Sequence, residues 1–84
     1  MFDVELSSQA KKKLKQLTKI KSRRAIADAI DEIALDPYIG KPLTRELAGR
    51  FAYKLGNYRI IYKITKNDRK VGIIKIGHRS DVYN

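Results

Sequence analysis

The sequence predicts an α+β domain in which an N-terminal strand and a two-helix hairpin pack on an antiparallel sheet of about four strands. Three observations support this prediction. Polar and apolar residues alternate over residues 2–6, apolar residues recur at helical spacing over residues 10–34, and alternation returns from residue 51. Periods of two and of 3.6 residues distinguish strands from helices. Because 84 residues leave room for one core, we assign residues 1–84 to a single domain.

The first strand and the first helix are predicted at the N-terminus. Residues 2–6 alternate in polarity, as expected of a short strand with one buried face. Ser7 or Ser8 can cap the helix that follows, because a serine oxygen accepts a hydrogen bond from the first backbone N–H groups. The apolar stripe of this helix comprises Ala10, Leu14 and Leu17.

The second helix is predicted to begin at Ser22 and to end at Asp36. Ser22 offers a capping oxygen, and Pro37 disfavours a helical conformation at the residue before it. Its apolar stripe comprises Ile26, Ile30 and Ile33. Stripes this narrow predict a helical hairpin that lies on one face of a sheet.

A β-hairpin follows, with Gly56 and Asn57 as its two-residue turn. Glycine at the first turn position suits a type II′ turn. In this register Lys54 lies directly across from Arg59. One face of the hairpin, here called the basic face, then carries Arg50, Ala52, Lys54, Arg59, Ile61 and Lys63. The opposite face carries Phe51, Tyr53, Leu55, Tyr58, Ile60, Tyr62 and Ile64 and is predicted to cover the helices.

The last strand is predicted to pair with the second strand of that hairpin through a five-residue loop at residues 66–70. Thr65 would then pair with Val71, and Arg59 would face Gly77. This register also places Lys75 and Arg79 on the basic face, so that Lys54, Arg59 and Arg79 converge there. Ile61 and Ile73 are expected to be exposed among these cations.

Basic residues exceed acidic residues by 19 to 9, for a net charge of +10. Residues 1–24 and residues 45–84 are basic, whereas residues 25–44 are acidic. The positive charge is therefore localised, which favours a polyanionic ligand such as nucleic acid. Like charges that face each other across strands destabilise a sheet, so three cations without a carboxylate predict an anion site suited to a phosphodiester. An ordinary solvated basic face is the alternative.

Other classes of site are excluded by composition. The chain has no cysteine and one histidine, which rules out a disulfide framework and makes a zinc site improbable. We therefore expect no metal and no cofactor. The sequence has no apolar stretch long enough to span a bilayer and no apolar stretch typical of a signal peptide. These features predict a cytoplasmic protein that does not bind membranes.

Residues 58–62 (YRIIY) and 76–83 (IGHRSDVY), with residues 53–59, resemble the RelE/ParE superfamily of toxin–antitoxin toxins, and most closely its RelE type. The resemblance spans nearly the whole chain. It implies a metal-independent, ribosome-dependent endoribonuclease that cuts mRNA in the ribosomal A site. It also implies a cognate acidic antitoxin, RelB-like, that binds the toxin in a hetero-oligomer.

The resemblance also implies functional residues. Arg59 matches the arginine of the family's tyrosine–arginine motif, Arg79 the arginine at the end of the last strand, and Tyr83 the C-terminal tyrosine. Lys54 matches one of two basic residues on the preceding strand. The second falls at Ala52, which carries no charge.

Roles follow from these matches. Arg59 and Arg79 would stabilise the transition state, Lys54 would act as general base, and Tyr83 would stack on a base, relay a proton or pack against the sheet. His78 is predicted to lie on the face opposite Arg79, although a bulge in the strand would bring it into the site as a general acid. Contacts to mRNA or ribosomal RNA are assigned to Lys11, Lys12, Lys13, Lys15, Arg50, Lys63 and Lys75. For the lysines of the first helix, a solvated helix face is the alternative.

Two other functions are compatible with the sequence. A ParE-like toxin would poison DNA gyrase without nuclease chemistry, and Ala52 is compatible with that function. A catalytically inactive domain that binds an antitoxin is the other alternative.

Overall fold

The structure is a computed structural model that describes residues 1–78. The elements in chain order are β1 (Asp3–Leu6), α1 (Ser8–Gln16), α2 (Ile20–Leu35), β2 (Lys41–Pro42), β3 (Arg50–Leu55), β4 (Tyr58–Thr65) and β5 (Lys70–His78). Single turns of 3₁₀ helix at Pro37–Ile39 and Arg45–Leu47 flank β2. This order confirms the predicted α+β class.

The five strands found within residues 1–78 form one sheet in the order β1-β5-β4-β3-β2. β1 pairs in parallel with β5, whereas the other neighbours are antiparallel. The prediction was an antiparallel sheet of about four strands; the sheet has five, and its β1–β5 pair is parallel. The α1–α2 hairpin carries the chain from β1 at one edge of the sheet to β2 at the other edge. The additional strand, β2, has only two residues and shows no alternation that a sequence could reveal.

A serine caps the N-terminus of α1, whereas no serine caps the N-terminus of α2. Ser7 caps α1 as predicted, because its Oγ accepts a hydrogen bond from the N–H of Ala10 at 3.1 Å. The same Oγ donates to the carbonyl of Ile74 at 2.6 Å, which fixes α1 against β5. The prediction of a Ser22 cap was wrong. The connection between the helices has only three residues, and α2 begins at Ile20 with extended Lys19 as its N-cap residue.

The main core lies between the two helices and one face of the sheet. Its fully buried side chains include Ile26 and Ile33 from α2 and Ile60, Tyr62 and Ile73 from the sheet. Ile73 was predicted to be exposed on the basic face, and that prediction was wrong. A β-bulge in β5 is the reason, since Ile61 pairs with Lys75 whereas Tyr62 pairs with Ile73.

The β4–β5 hairpin departs from the predicted register in two ways that cancel each other: its loop is one residue shorter, and β5 has one extra residue at the bulge. The β4–β5 loop has four residues rather than five, so that Thr65 pairs with Lys70 and not with Val71. The extra residue in β5 then restores the predicted register at the other end of the hairpin. Arg59 therefore faces Gly77, as predicted.

Tyr62 joins the core to the segment between α2 and β2. Its hydroxyl donates to the carbonyl of Pro37 at 2.6 Å and accepts from the N–H of Gly40 at 3.0 Å. Burial raises the pKa of Tyr62 above its ordinary value of 10.0, the charge of Asp36 adds to this, and the hydrogen bond from Gly40 acts in the opposite direction. The folded state therefore favours the protonated hydroxyl, which is the form that can donate to Pro37.

The free energy of unfolding should fall at alkaline pH, in part because of Tyr62. A folded-state pKa above the unfolded value gives a stabilising contribution that is complete below about pH 10 and is lost as the pH rises through the folded-state pKa. Urea titrations between about pH 9 and pH 11 should show this loss, with a shallower dependence on pH in Tyr62→Phe. Exposed Tyr38→Phe is the control and should keep the wild-type slope; equal slopes in all three proteins would contradict the prediction.

Candidate functional site

The basic face is the surface of the sheet that the helices do not cover. The register of β3 and β4 is the predicted one, so Lys54 lies across from Arg59 and Arg50 lies across from Lys63. Both side chains in each of these two cross-strand pairs are cations. Such a pair destabilises a sheet by about 0.2–1 kcal/mol unless an anion offsets the repulsion. The two-residue turn at Gly56 and Asn57 sets this register, and Gly56 has a φ of +58° there.

Lys54 and Arg59 form the row nearest the β3–β4 turn. Lys54 is exposed and Arg59 is half-buried. A guanidinium nitrogen of Arg59 donates to the carbonyl of Tyr58 at 3.2 Å, which orients the side chain. Neither cation has an ion pair with a carboxylate among residues 1–78. The ion pair found in the sheet is on the far edge, where Glu5 of β1 binds Lys70 at 3.4 Å.

A small apolar cluster divides the basic face. Ala52 and Ile61 pair across β3 and β4 with exposed fractions of only 8% and 4%, and Leu43 packs against them. The prediction that Ile61 is exposed was wrong, because the chain after β2 brings Leu43 over it. Along β3 and β4 this cluster separates two pairs of cations, Lys54 with Arg59 at one end and Arg50 with Lys63 at the other.

Two further lysines lie beside this apolar cluster. Lys75 pairs with Ile61 as predicted. Lys41 pairs with Ala52 from the other side and is not among the site residues predicted from the sequence. No signal in the sequence was available for Lys41, because a two-residue strand is recognised only by its pairing with β3.

His78 lies on the other face of the sheet. It pairs with Tyr58, and the two rings contact each other with centroids 4.8 Å apart and planes at 45°. Gly77, the neighbour of His78, faces Arg59, so that His78 and Arg59 are on opposite sides as strand alternation predicted. The β5 bulge occurs before this point and does not bring His78 to Lys54.

The lysines of α1 form a separate basic surface. Lys11, Lys12 and Lys15 are exposed and Lys13 is half-buried, while Ala10 packs into the core. Lys12 and Lys13 approach Lys75 around a groove of about 320 Å³ between α1 and β5. The groove thus joins the lysines of α1 to one cation that the register assigns to the basic face.

Arg79 and Tyr83, two of the residues assigned to catalysis, lie outside the described residues. Within residues 1–78, no group of three histidine, cysteine or acidic side chains is placed to hold a metal ion. None of the helices in that range has both the length and the apolar character to cross a membrane.

Comparison with known proteins identifies the family. The model of the ParE toxin of the type II toxin–antitoxin system parDE matches residues 4–83. Toxin RelG of Mycobacterium tuberculosis is 32% identical over 83 residues, which cover 98% of this chain and 95% of RelG. Toxin RelE of the same organism is 28% identical over 83 residues, covering 98% of this chain and 86% of RelE.

Solved structures have the same fold. The toxin–antitoxin complex RelBE2 from Mycobacterium tuberculosis contains a chain that aligns with a TM-score of 0.83 and 32% identity, covering 93% of this chain and 98% of that one. The intact Escherichia coli RelBE complex gives a TM-score of 0.80 at 20% identity, covering 93% of this chain and 96% of that one, and supports the fold alone. From the match to residues 4–83 and the RelG relative, this chain belongs to the ParE toxin family of type II toxin–antitoxin systems, within the RelE/ParE superfamily.

Proposed function

We propose that this toxin is an endoribonuclease that cuts mRNA in the ribosomal A site and so inhibits translation. The observation that carries the proposal is the position of Lys54 directly across from Arg59, with no carboxylate of residues 1–78 paired to either. Two adjacent cations on an open sheet suit a phosphodiester, because guanidinium and ammonium groups bind phosphate through charge-assisted hydrogen bonds. The similarity to toxins RelG and RelE supports the same assignment.

The reaction that fits these residues uses the substrate's own nucleophile. The ribose 2′-oxygen attacks the adjacent phosphorus, the bond from phosphorus to the 5′-oxygen breaks, and the products are a 2′,3′-cyclic phosphate and a 5′-hydroxyl. In its neutral amine form, Lys54 is proposed to accept the proton of the 2′-hydroxyl, which makes it an ammonium beside the phosphorus. Arg59 stabilises the negative charge that accumulates on the phosphorane oxygens. This chemistry needs no metal, since side chains supply the positive charge.

Two further residues have proposed roles around this pair. Arg79 would be a second guanidinium on the phosphorane, and Tyr83 would stack on a neighbouring base. His78 would be the acid that protonates the 5′-oxygen only if it lay on the basic face. Its position on the opposite face of the sheet favours another group, or water, for that proton.

The proposed dependence on the ribosome follows from the shape of the site. The basic face is the surface of a sheet, which can bind a phosphate but offers little to hold a flexible strand in the in-line geometry that attack requires. The ribosome would supply that orientation. The lysines of α1, with Arg50, Lys63 and Lys75, are proposed to contact mRNA or ribosomal RNA around the site, where each phosphate contact makes binding more sensitive to salt.

Purified toxin should therefore cleave protein-free RNA poorly and ribosome-bound mRNA well. A single mRNA, incubated with the toxin in the presence and in the absence of programmed ribosomes, provides the comparison, and primer extension maps the cuts. Cuts at a fixed position within codons, found only with ribosomes, are the expected result. Equally rapid cleavage of the free RNA at low toxin concentration would contradict the proposed ribosome dependence.

A second candidate function is inhibition of DNA gyrase. It is favoured by the match to the ParE toxin model and by the uncharged Ala52, where the resemblance to the RelE type implies a second basic residue. Cells that express the toxin distinguish the two functions. Codon-phased mRNA cleavage with intact chromosomes supports the nuclease, whereas intact mRNA with double-strand DNA breaks supports gyrase inhibition. A catalytically inactive antitoxin-binding protein would produce neither.

The proposed partner is an acidic, RelB-like antitoxin. The similar chains from Mycobacterium tuberculosis and Escherichia coli are described in RelBE complexes, and a net charge of +10 favours an acidic partner here. An antitoxin bound over Lys54 and Arg59 would block the phosphate site and offset the repulsion between these cations.

A further inference from the structure

A cavity bordered by described residues lies on the helix side of the sheet, behind Arg59. It has a volume of about 410 Å³ and opens between the α1–α2 connection and the ends of β4 and β5. Its described lining residues include Gln16, Lys19, Ser22, Asn57, Tyr58 and His78. This volume is within the range of small-molecule sites, about 300–1,000 Å³, and the reaction on the basic face makes no use of it.

The chemistry of the lining is that of a site for a planar polar group. The contacting rings of Tyr58 and His78 give an aromatic surface on one side. Asn57 and Gln16 carry amides that both donate and accept hydrogen bonds. Lys19 is the one charged side chain among the described lining residues, and no carboxylate is among them. Such a lining suits a neutral ring attached to a negatively charged backbone.

The cavity and the basic face adjoin each other at the same end of the sheet. Tyr58 and Arg59 are consecutive in β4, and His78 and Gly77 are consecutive in β5. Consecutive Cα atoms are about 3.8 Å apart, and their side chains point to opposite faces. A single-stranded RNA with one phosphate at Arg59 is therefore within reach of the cavity with a nearby nucleotide.

We propose that this cavity is a nucleobase-binding subsite, in which an unpaired base of the bound RNA stacks on the Tyr58–His78 ring pair while its hydrogen-bonding edge faces Asn57 and Gln16. The inference rests on the proposed function, since it takes the RNA at Arg59 as given. It assigns His78 to base binding and not to proton transfer, and it makes the cavity a source of sequence preference near the cut.

Binding of short oligoribonucleotides tests this proposal independently of cleavage. The probes are tetranucleotides with 2′-O-methyl riboses, which cannot undergo 2′-attack, and four versions with one base removed at each position in turn. Affinities are measured for the wild type, His78→Ala, Tyr58→Leu and the matched control Tyr58→Phe, which keeps the ring. Because His78 is exposed, His78→Ala carries the test if Tyr58→Leu does not fold.

The expected result is a single position at which removing the base weakens wild-type binding about 5- to 100-fold, as loss of one stacked base does. His78→Ala should weaken binding of the intact probe by a similar factor, with no further loss for the probe that lacks that base. Tyr58→Phe should bind like the wild type. Backbone amide signals of Asn57 and Ser22 should shift in NMR spectra with the intact probe only.

Two outcomes overturn the inference. One is that His78→Ala binds the intact probe with wild-type affinity. The other is that His78→Ala weakens binding by the same factor for the intact probe and for all four probes that lack a base, so that no base depends on His78. Both are distinguishable from failure of the proposed function, which is decided by primer extension with wild-type toxin on ribosomes. If the toxin leaves ribosome-bound mRNA intact but the effects of His78→Ala and of removing one base on probe affinity are still not independent, the base-binding subsite is supported and the nuclease function is contradicted.

Discussion

Replacement of Arg59 by alanine should lower the rate of ribosome-dependent mRNA cleavage about 10²- to 10³-fold, the usual loss when one preorganised group that stabilises transition-state charge is removed. Arg59 is half-buried, is oriented by its bond to the carbonyl of Tyr58, and lies beside Lys54. Lysine cannot replace its planar two-pronged guanidinium, so Arg59→Lys should recover only part of the activity. Single-turnover cleavage of mRNA on programmed ribosomes measures the effect.

Matched controls separate loss of catalysis from loss of charge. Arg24→Ala on α2 and Lys66→Ala in the β4–β5 loop each remove one exposed cation away from the basic face, and both should cleave at nearly the wild-type rate. Lys54→Ala, by contrast, should be defective. Wild-type cleavage by Arg59→Ala would show that the reaction takes place elsewhere, and an equal loss in Arg24→Ala would show that total charge alone matters.

Replacement of Gly40 by alanine should lower the free energy of unfolding by about 2–3 kcal/mol, as overpacking of a close-packed site does. The new Cβ would overlap the hydroxyl of Tyr62 and come within 3.0 Å of its ring carbon Cζ and 3.1 Å of the carbonyl oxygen of Ala52. Tyr62 would have to move, which would break its hydrogen bonds to Pro37 and Gly40. Urea denaturation followed by circular dichroism measures the loss.

Gly72→Ala is the matched control for this substitution. A Cβ at Gly72 would meet only side-chain carbons of Lys63 at 3.6 Å, which is ordinary van der Waals contact. Alanine also reduces the entropy of the unfolded chain, so the free energy of unfolding should stay within about 1 kcal/mol of the wild-type value. If Gly40→Ala were as stable as Gly72→Ala, the close packing of Tyr62 against Gly40 would be wrong.

The sequence predicted those features of the site that follow from turn geometry and from the alternation of side chains along a strand. The Gly56–Asn57 turn fixes the register of β3 and β4, and strand alternation then places Lys54 and Arg59 together. The side of the sheet to which His78 belongs followed from the same alternation. Arg79 and Tyr83 remain predictions from the resemblance.

The sequence by itself determined the fold class, the first hairpin and the like-charge pair, because hydrophobic period and turn chemistry act between residues close in the chain. Tertiary structure alone decided the parallel β1–β5 pairing, the bulge that buries Ile73, the cover that Leu43 provides for Ile61 and the cavity behind Arg59. These features bring together segments far apart in sequence. Their energies come from packing and pairing in the assembled sheet, which no local pattern encodes.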